Sequence, residues 1–209
     1  MEQGSQEWLF AKCGWVGASR VADIVAKTKS GVSASRATYM GQLIAERLTG
    51  VPTETFKSEA MQFGTDTEAE AVAAYQFEAG VLTAKTGFIP HPKIHMSGAS
   101  PDRLIGNDGL LEAKCPNTAT HIEALLGRSI PGRYVTQMQW QMACTERAWC
   151  DYVSFDPRMP EPMRLHIQRI RRDAEVISEL ERAVIEFNAE LNRKVGELRS
   201  RYGGQREAA

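Results

Sequence analysis

A block of short strands lies between two helix-forming regions, and this order is the feature of the sequence that most limits its fold. The turn Gly106-Asn107-Asp108-Gly109 divides the last two of these strands, as expected for a hairpin. The alternation of helical and strand-like stretches along the chain predicts an α/β or α+β domain, in which helices flank a central sheet. The predicted stretches are helices at 18–27, 33–48 and 58–79, strands at 81–89, 99–105 and 110–114, helices at 118–127 and 133–146, strands at 149–155 and 163–170, and a long helix at 173–202.

The hairpin brings charged side chains together. Side chains alternate along a strand, so Glu112 and Lys114 point to the same face. Paired positions across the turn have residue numbers that sum to about 215, which places Asp102 within one step of Glu112. We therefore expect two carboxylates and one ammonium group at one end of a small sheet.

This set suits the hydrolysis of a phosphodiester. Two carboxylates and a backbone carbonyl, such as that of Ala113, can hold Mg²⁺ while leaving positions for water and a phosphate. Lys114 can orient the attacking water and offset negative charge in the transition state. A structural alternative stays open, in which Asp102 caps a turn and Glu112 pairs with Lys114 on an exposed strand.

Several motifs, in order, resemble those of the lambda exonuclease (YqaJ-like viral recombinase) family of PD-(D/E)xK nucleases. The catalytic signature is matched by Ser100-Pro101-Asp102 and by the segment Leu-Glu-Ala-Lys-Cys-Pro at 111–116. The resemblance implies a restriction-endonuclease-like core with a mixed sheet, in a single nuclease domain over residues 1–209. Further matches are Trp8 with Gly17-Ala18-Ser19, the segment 63–68, the glutamine helix 134–139 and the turn 155–159.

The resemblance implies a metal site built on two carboxylates. Asp102 and Glu112 correspond to the ligands, Ala113 offers its carbonyl, and Glu68 corresponds to a helix carboxylate that reaches the metal through water. The implied cofactor is Mg²⁺, as two ions, with Mn²⁺ as a substitute. The spacing alone would equally allow Glu68 to be a charge that faces solvent and has no part in the metal site.

Lys114 corresponds to the catalytic lysine, and Gln137 to the glutamine near the site. Gln139 belongs to the same motif, and ordinary polar helix surface is the alternative for both glutamines.

The resemblance also implies residues that bind the DNA end. Ser19 and Ser100 correspond to a pocket for the 5′-phosphate, where Lys12 stands at a position that usually holds arginine. Lysine lacks the bidentate fork of arginine, which puts the strength of the 5′-phosphate preference in doubt. Lys29 lies in a loop that reaches toward DNA, and Met61 corresponds to an apolar wedge, although core packing is the commoner role of methionine.

The leading functional hypothesis is a 5′→3′ exonuclease that digests linear double-stranded DNA and leaves a 3′ single strand. In this family three subunits form a ring around DNA, and a single-strand annealing protein receives the product strand. The apolar stripe of helix 173–202 suits either core packing or a contact with another subunit. The alternatives are a PD-(D/E)xK endonuclease of restriction or repair type and a non-catalytic DNA-end-binding module.

Composition adds weaker constraints. The net charge of −1 does not by itself indicate a nucleic-acid-binding protein. Residues 158–172 hold five arginines and one acid, a pattern that fits either a phosphate-facing patch or a solvated surface. No membrane-spanning run or signal peptide is evident, so we expect no membrane contact and a cytoplasmic location. Residues from Gly203 onward are expected to be flexible.

The cysteines and histidines favour structural roles. The four cysteines form no CxxC pair, so we expect reduced, mostly buried thiols rather than disulfides or an iron–sulfur cluster. His91 and His95 have a zinc-compatible spacing only on a helix, which Pro90 and Pro92 exclude, so loop histidines are expected.

Overall fold

Sheets and helices alternate along the chain, and a computed structural model describes residues 3–28, 31–54 and 58–203. The helices are α1 (Gln6–Ala11), α2 (Val21–Val25), α3 (Ala34–Thr49), α4 (Glu59–Ala79), α5 (Thr118–Leu125), α6 (Gly132–Thr145) and α7 (Ala174–Tyr202), with short 3₁₀ turns at Ala18–Arg20 and Glu161–Met163. The strands are β1 (Val16–Gly17), β2 (Lys27–Thr28), β3 (Gly31–Val32), β4 (Thr83–Ala84), β5 (Ile89–Pro90), β6 (Ser97–Ala99), β7 (Arg103–Ile105), β8 (Gly109–Lys114), β9 (Trp149–Phe155) and β10 (Leu165–Arg171).

The main sheet is mixed and has the order β10-β9-β8-β7-β4. Strands β8 and β9 are parallel, and the other neighbours are antiparallel. The predicted hairpin is confirmed, since Arg103 pairs with Leu111 and Ile105 with Gly109. The same register, continued by one residue, brings Asp102 opposite Glu112. The predicted fold class is confirmed as well.

Local signals fixed the ends of α3 and α4 correctly. The Ser33 hydroxyl caps α3 by accepting a hydrogen bond from the Arg36 amide at 3.2 Å, and Ser58 caps α4 in the same way. Gly50 and Gly80 end these helices with φ values of 69° and 64°, a conformation that favours glycine because it lacks a Cβ.

The strands before the hairpin are shorter than the sequence predicts. The predicted strand 81–89 contains only β4 and β5, which belong to two different sheets. The predicted strand 99–105 is interrupted between β6 and β7, where Pro101 has no amide hydrogen to donate to a ladder. Asp102 therefore lies one residue before β7, outside the hydrogen-bonded ladder of that strand.

Helices cover both faces of the main sheet. Helix α6 packs on the face that carries Leu110, Cys150 and Tyr152, and α4 packs on the face of Leu111 and Val153. Since side chains alternate along β8, Glu112 points toward α6. The active-site strand is thus enclosed between two helices.

The long helix α7 is part of the same core. Its residues Leu180, Val184, Phe187 and Leu191 are buried in a cluster with α2, α3 and α6, and Ile177 is buried as well. The apolar stripe of α7 therefore packs against other helices of its own chain. Of the two predicted roles, core packing is the correct one. No helix among the described residues is long and apolar enough to cross a membrane.

The four cysteines are free thiols, as predicted, with Cys144 and Cys150 buried. The expected flexible tail, residues 204–209, lies outside the described part of the chain.

Candidate active site

Glu112 lies at the centre of the candidate site, and its side chain is only 1% exposed. The amide groups of Gln137 and Gln141, both on α6, donate hydrogen bonds to it at 2.6 Å each. The Lys114 ammonium forms an ion pair with the same carboxylate. A buried carboxylate is tolerated when it is paired and hydrogen-bonded. The alternative of an exposed Glu112–Lys114 pair is therefore wrong.

Asp102 completes the carboxylate pair. Its Oδ2 atom accepts a hydrogen bond from the Ala113 amide at 2.8 Å, which ties it to β8. Burial and the neighbouring Glu112 raise the pKa of Asp102, against the opposing effect of Lys114. The two carboxylates thus form a site with excess negative charge, as the hairpin geometry predicts.

Lys114 balances part of that charge. Burial alone would lower the pKa of Lys114, but the nearby Glu112 and Asp102 carboxylates outweigh it and raise the pKa. The ammonium also lies 5.0 Å from the centre of the Tyr134 ring. The two neighbouring carboxylates therefore favour the charged form of Lys114.

Glu68 lies on α4 at the edge of this group, with its side chain about one-third exposed. Its Oε1 atom accepts a hydrogen bond from Arg103 at 3.1 Å, and Arg103 also donates to the Asp102 carbonyl. Arg103 was not predicted as a site residue, because neither a motif nor a local pattern in the sequence marks it.

The donor set fits a divalent cation. Asp102, Glu112 and the Ala113 carbonyl are hard oxygen donors, and a cation would relieve the repulsion that raises the pKa of Asp102. Within residues 3–28, 31–54 and 58–203, however, no three His, Cys, Asp or Glu side chains form a group that could hold a metal by themselves. A backbone carbonyl or water would complete the ligands.

The glutamine helix divides into two functions. Gln137 contacts Glu112, whereas Gln139 is buried on another side of α6 and joins β10 to α7 through the Arg171 carbonyl and the Asp173 amide. Gln139 is thus neither helix surface nor near the site. Gln141 was missed, although its position four residues after Gln137 places it on the same helical face.

The predicted residues of the DNA end form a second cluster. Lys12 and Ser19 line one small cavity of about 120 Å³. The Lys12 ammonium lies 3.5 Å from the centre of the Trp8 ring, and the Trp8 indole donates to the Ser100 hydroxyl at 2.9 Å. Met61 is 55% exposed in the first turn of α4, so it does not pack in the core. Lys29 lies outside the described residues.

Four of the five arginines in segment 158–172 have partners within the chain. Arg158 and Arg169 form ion pairs with the buried carboxylates of Asp156 and Asp151, at 2.7 and 2.8 Å. Arg164 and Arg172 donate to backbone carbonyls. These arginines therefore hold turns and strands in place, through partners that the sequence does not indicate.

His91 and His95 lie outside any helix, as predicted. His91 is nevertheless buried, stacked on Trp140, and its Nδ1 atom accepts hydrogen bonds from the Lys93 and Ile94 amides. It stabilises the loop that follows β5.

Comparisons with known proteins give a consistent result. The family described as "YqaJ-like viral recombinase domain" matches residues 7–148. The alkaline exonuclease LHK-Exo from Laribacter hongkongensis is 45% identical, with a TM-score of 0.89 over 95% of this chain and 98% of that chain. Its complex with dAMP matches at 46% identity with the same TM-score and coverage.

A phage-related exonuclease from Haemophilus somnus 129PT has a TM-score of 0.67 at 16% identity, over 88% of this chain and 96% of that chain. This likeness shows the fold alone. No curated protein matches the chain significantly.

Proposed function

We propose that this chain digests linear double-stranded DNA from its 5′ ends. The premise is that it belongs to the family of YqaJ-like viral recombinase domains and is an exonuclease of DNA recombination. The proposed reaction is Mg²⁺-dependent, proceeds 5′→3′, and leaves a 3′ single strand for recombination by strand annealing. We propose two Mg²⁺ ions, with Mn²⁺ as a substitute.

The observation that carries this proposal is the buried Glu112 carboxylate, held between Lys114 and two glutamines and facing Asp102. Burying a carboxylate is costly, so a chain places one beside a second carboxylate chiefly for a function. A divalent cation bound by Asp102, Glu112 and the Ala113 carbonyl would supply positive charge to the scissile phosphate and acidify a water molecule.

The surrounding residues prepare this chemistry. Lys114 stays charged and can donate to the attacking water or to a phosphate oxygen. Gln137 fixes one oxygen of Glu112, and Arg103 holds Glu68 at the edge of the site, from where its carboxylate can reach a water of the metal. Water attacks phosphorus, the bond to the 3′-oxygen breaks, and a 5′-mononucleotide leaves.

Each cycle of that reaction leaves a new 5′-phosphate on the shortened strand. We assign this group to the cavity that contains Lys12 and Ser19, with Ser100 positioned beside it through Trp8. The exposed Met61 is assigned to separating the strands at the duplex end, and Lys29 to a contact with DNA. A homotrimeric ring and a single-strand annealing partner complete the proposal, on the basis of the family.

A time course in Mg²⁺ tests the function. Linear duplexes with 5′-phosphoryl or 5′-hydroxyl ends are compared with a covalently closed circle, and Glu112→Gln serves as the inactive control. We expect mononucleotides and 3′ single-stranded tails from linear DNA only. Substantial cutting of the circle at low enzyme would instead indicate an endonuclease, and metal-supported end binding without nucleotide release would indicate a binding module.

A further inference from the structure

The cavity lined by Lys12 has a second cationic side chain in its wall. Its walls include Lys12, Ser19, Arg20, Tyr39, Gln42 and Glu46. Arg20 follows directly after the Gly17-Ala18-Ser19 motif, in the 3₁₀ turn before α2. We propose that Arg20 supplies the bidentate contact to the 5′-phosphate that Lys12, lacking a guanidinium fork, cannot make. This inference rests on the proposed function and adds a specificity-determining residue to it.

The Arg20 guanidinium is held in place before any ligand binds. Its carbon lies 4.4 Å from the centre of the Tyr39 ring, so the two groups stack. Its Nε atom pairs with Asp23, and Nη1 donates to the side-chain oxygen Oε1 of Gln42 at 3.4 Å. Tyr39 is itself fixed, since it is buried and its hydroxyl accepts a hydrogen bond from the Gly17 amide at 3.0 Å. A guanidinium fixed in this way loses little freedom on binding an anion.

Two cationic side chains, those of Lys12 and Arg20, lie on the wall of the cavity together with the acidic side chain of Glu46. The Glu46 carboxylate accepts from the amides of Gly14 at 2.7 Å and Thr53 at 3.2 Å, and from Gln42 at 2.9 Å. These neutral donors hold the Glu46 carboxylate in place without neutralising its charge, and Asp23 pairs with Arg20 through Nε. The proposed contact therefore depends on hydrogen bonds from Lys12 and Arg20, the two cationic side chains on the wall of one cavity.

The size of the cavity agrees with this ligand. About 120 Å³ equals the liquid volume of roughly four water molecules. Such a space suits one phosphoryl group and is too small for a nucleotide. A guanidinium binds two phosphate oxygens at once, whereas an ammonium acts as a point charge.

The test is the ratio of kcat/KM on a 5′-phosphoryl duplex to that on the matched 5′-hydroxyl duplex. We expect Arg20→Gln to lower this ratio about tenfold or more, the effect of losing a charge-assisted hydrogen bond. Arg20→Lys keeps the charge but not the fork and should give an intermediate ratio. Adding Lys12→Arg to Arg20→Gln should restore much of the preference.

Arg36→Gln is the matched control, because Arg36 also stacks on an aromatic ring and pairs with a carboxylate, Glu190, but lies outside the cavity. It should leave the ratio unchanged. A ratio for Arg20→Gln within about twofold of the wild type would overturn the inference. If Arg20→Gln does not fold, an unchanged ratio for Arg20→Lys would overturn it instead. A wild-type ratio of one would reject the phosphate cavity as a whole, which separates failure of the proposed function from failure of Arg20.

Discussion

The surroundings of Glu112 change what its substitution would do. Three donors, from Lys114, Gln137 and Gln141, converge on this carboxylate in a buried position. Replacement by alanine would leave an ammonium and two amides without an acceptor, at a cost of about 1–3 kcal/mol for each such group. From the sequence, Glu112→Ala is expected to remove a metal ligand and to leave folding largely intact; the burial of Glu112 contradicts that expectation.

Glu112→Gln is therefore the better probe of metal binding. It keeps the shape and an acceptor oxygen but removes the charge that a cation needs. We expect cleavage to fall by about 10³-fold or more, while binding to DNA ends persists. Thermal melting with increasing Mg²⁺ gives a second readout, since the wild type should be stabilised and the variant should not. Near-native turnover by this variant would remove Glu112 from the mechanism.

Gln141 gives a subtler prediction at the same scale. It is completely buried and donates to Glu112 Oε2, so Gln141→Leu should free one carboxylate oxygen to rotate. We expect the Mg²⁺ concentration for half-maximal activity to rise about 10- to 100-fold, the usual effect of losing a partner of a metal ligand. Mg²⁺-induced stabilisation against heating should weaken in parallel.

Gln139→Leu is the control for that variant, because Gln139 bonds the Arg171 carbonyl and the Asp173 amide instead. It should lower stability without changing the Mg²⁺ requirement. An equal shift in both variants would mean that Gln141 acts only through general packing.

At the scale of single elements, the turn after β9 shows how the arginine-rich segment is used. Asp156 is fully buried and accepts hydrogen bonds from the Arg158 guanidinium and the Thr118 hydroxyl. Burial by itself would raise the pKa of Asp156, but these bonds outweigh it and lower the pKa to about 2. The turn is thus tied to α5 by a charge that must stay ionised.

The stability that Asp156 contributes should depend on pH. Because its pKa is lower in the folded state than its ordinary 3.8, the stabilisation is complete above about pH 4 and is lost as the pH falls toward 2. Urea unfolding should show Asp156→Asn to be about 2 kcal/mol less stable at pH 7, with a smaller difference at pH 3. A pH-independent difference for Asp156→Asn would contradict the assignment.

Helix α7 contributes to the core through one face only. Leu191 on that face is fully buried, whereas Ile185 is 53% exposed. Leu191→Ala should lower the free energy of unfolding by about 2–5 kcal/mol, because it leaves a cavity between α7 and α3. Ile185→Ala should change it by less than about 0.5 kcal/mol. Equal effects of the two substitutions in denaturant titrations would show that α7 does not pack as described.

At the scale of the whole molecule, the apolar stripe of α7 is buried within the chain. The subunits of the proposed trimeric ring must therefore contact one another through other surfaces. We predict a solution mass of about three times the chain mass of 23.2 kDa, measured by light scattering during size-exclusion chromatography. Leu191→Ala should not alter the mass while it stays folded, since Leu191 lies in the core of one chain. A mass of 23.2 kDa at micromolar concentration would contradict the trimer but leave the active-site proposal intact.

The sequence by itself determined what depends on near neighbours in the chain. The caps of α3 and α4, the turn at Gly106–Gly109 and the register that brings Asp102 to Glu112 all follow from local backbone chemistry. The family motifs added Glu68 and Gln137, which no local rule selects.

Only the tertiary structure decided how these parts are supported. Gln141 meets Glu112 across 29 residues, and Arg103 meets Glu68 across 35. It also buried the α7 stripe inside the chain and placed Arg20 and Lys12 on the wall of one cavity. Such contacts depend on the packing of whole elements, and a sequence pattern with a period of two or 3.6 residues carries no information about which distant side chains will meet.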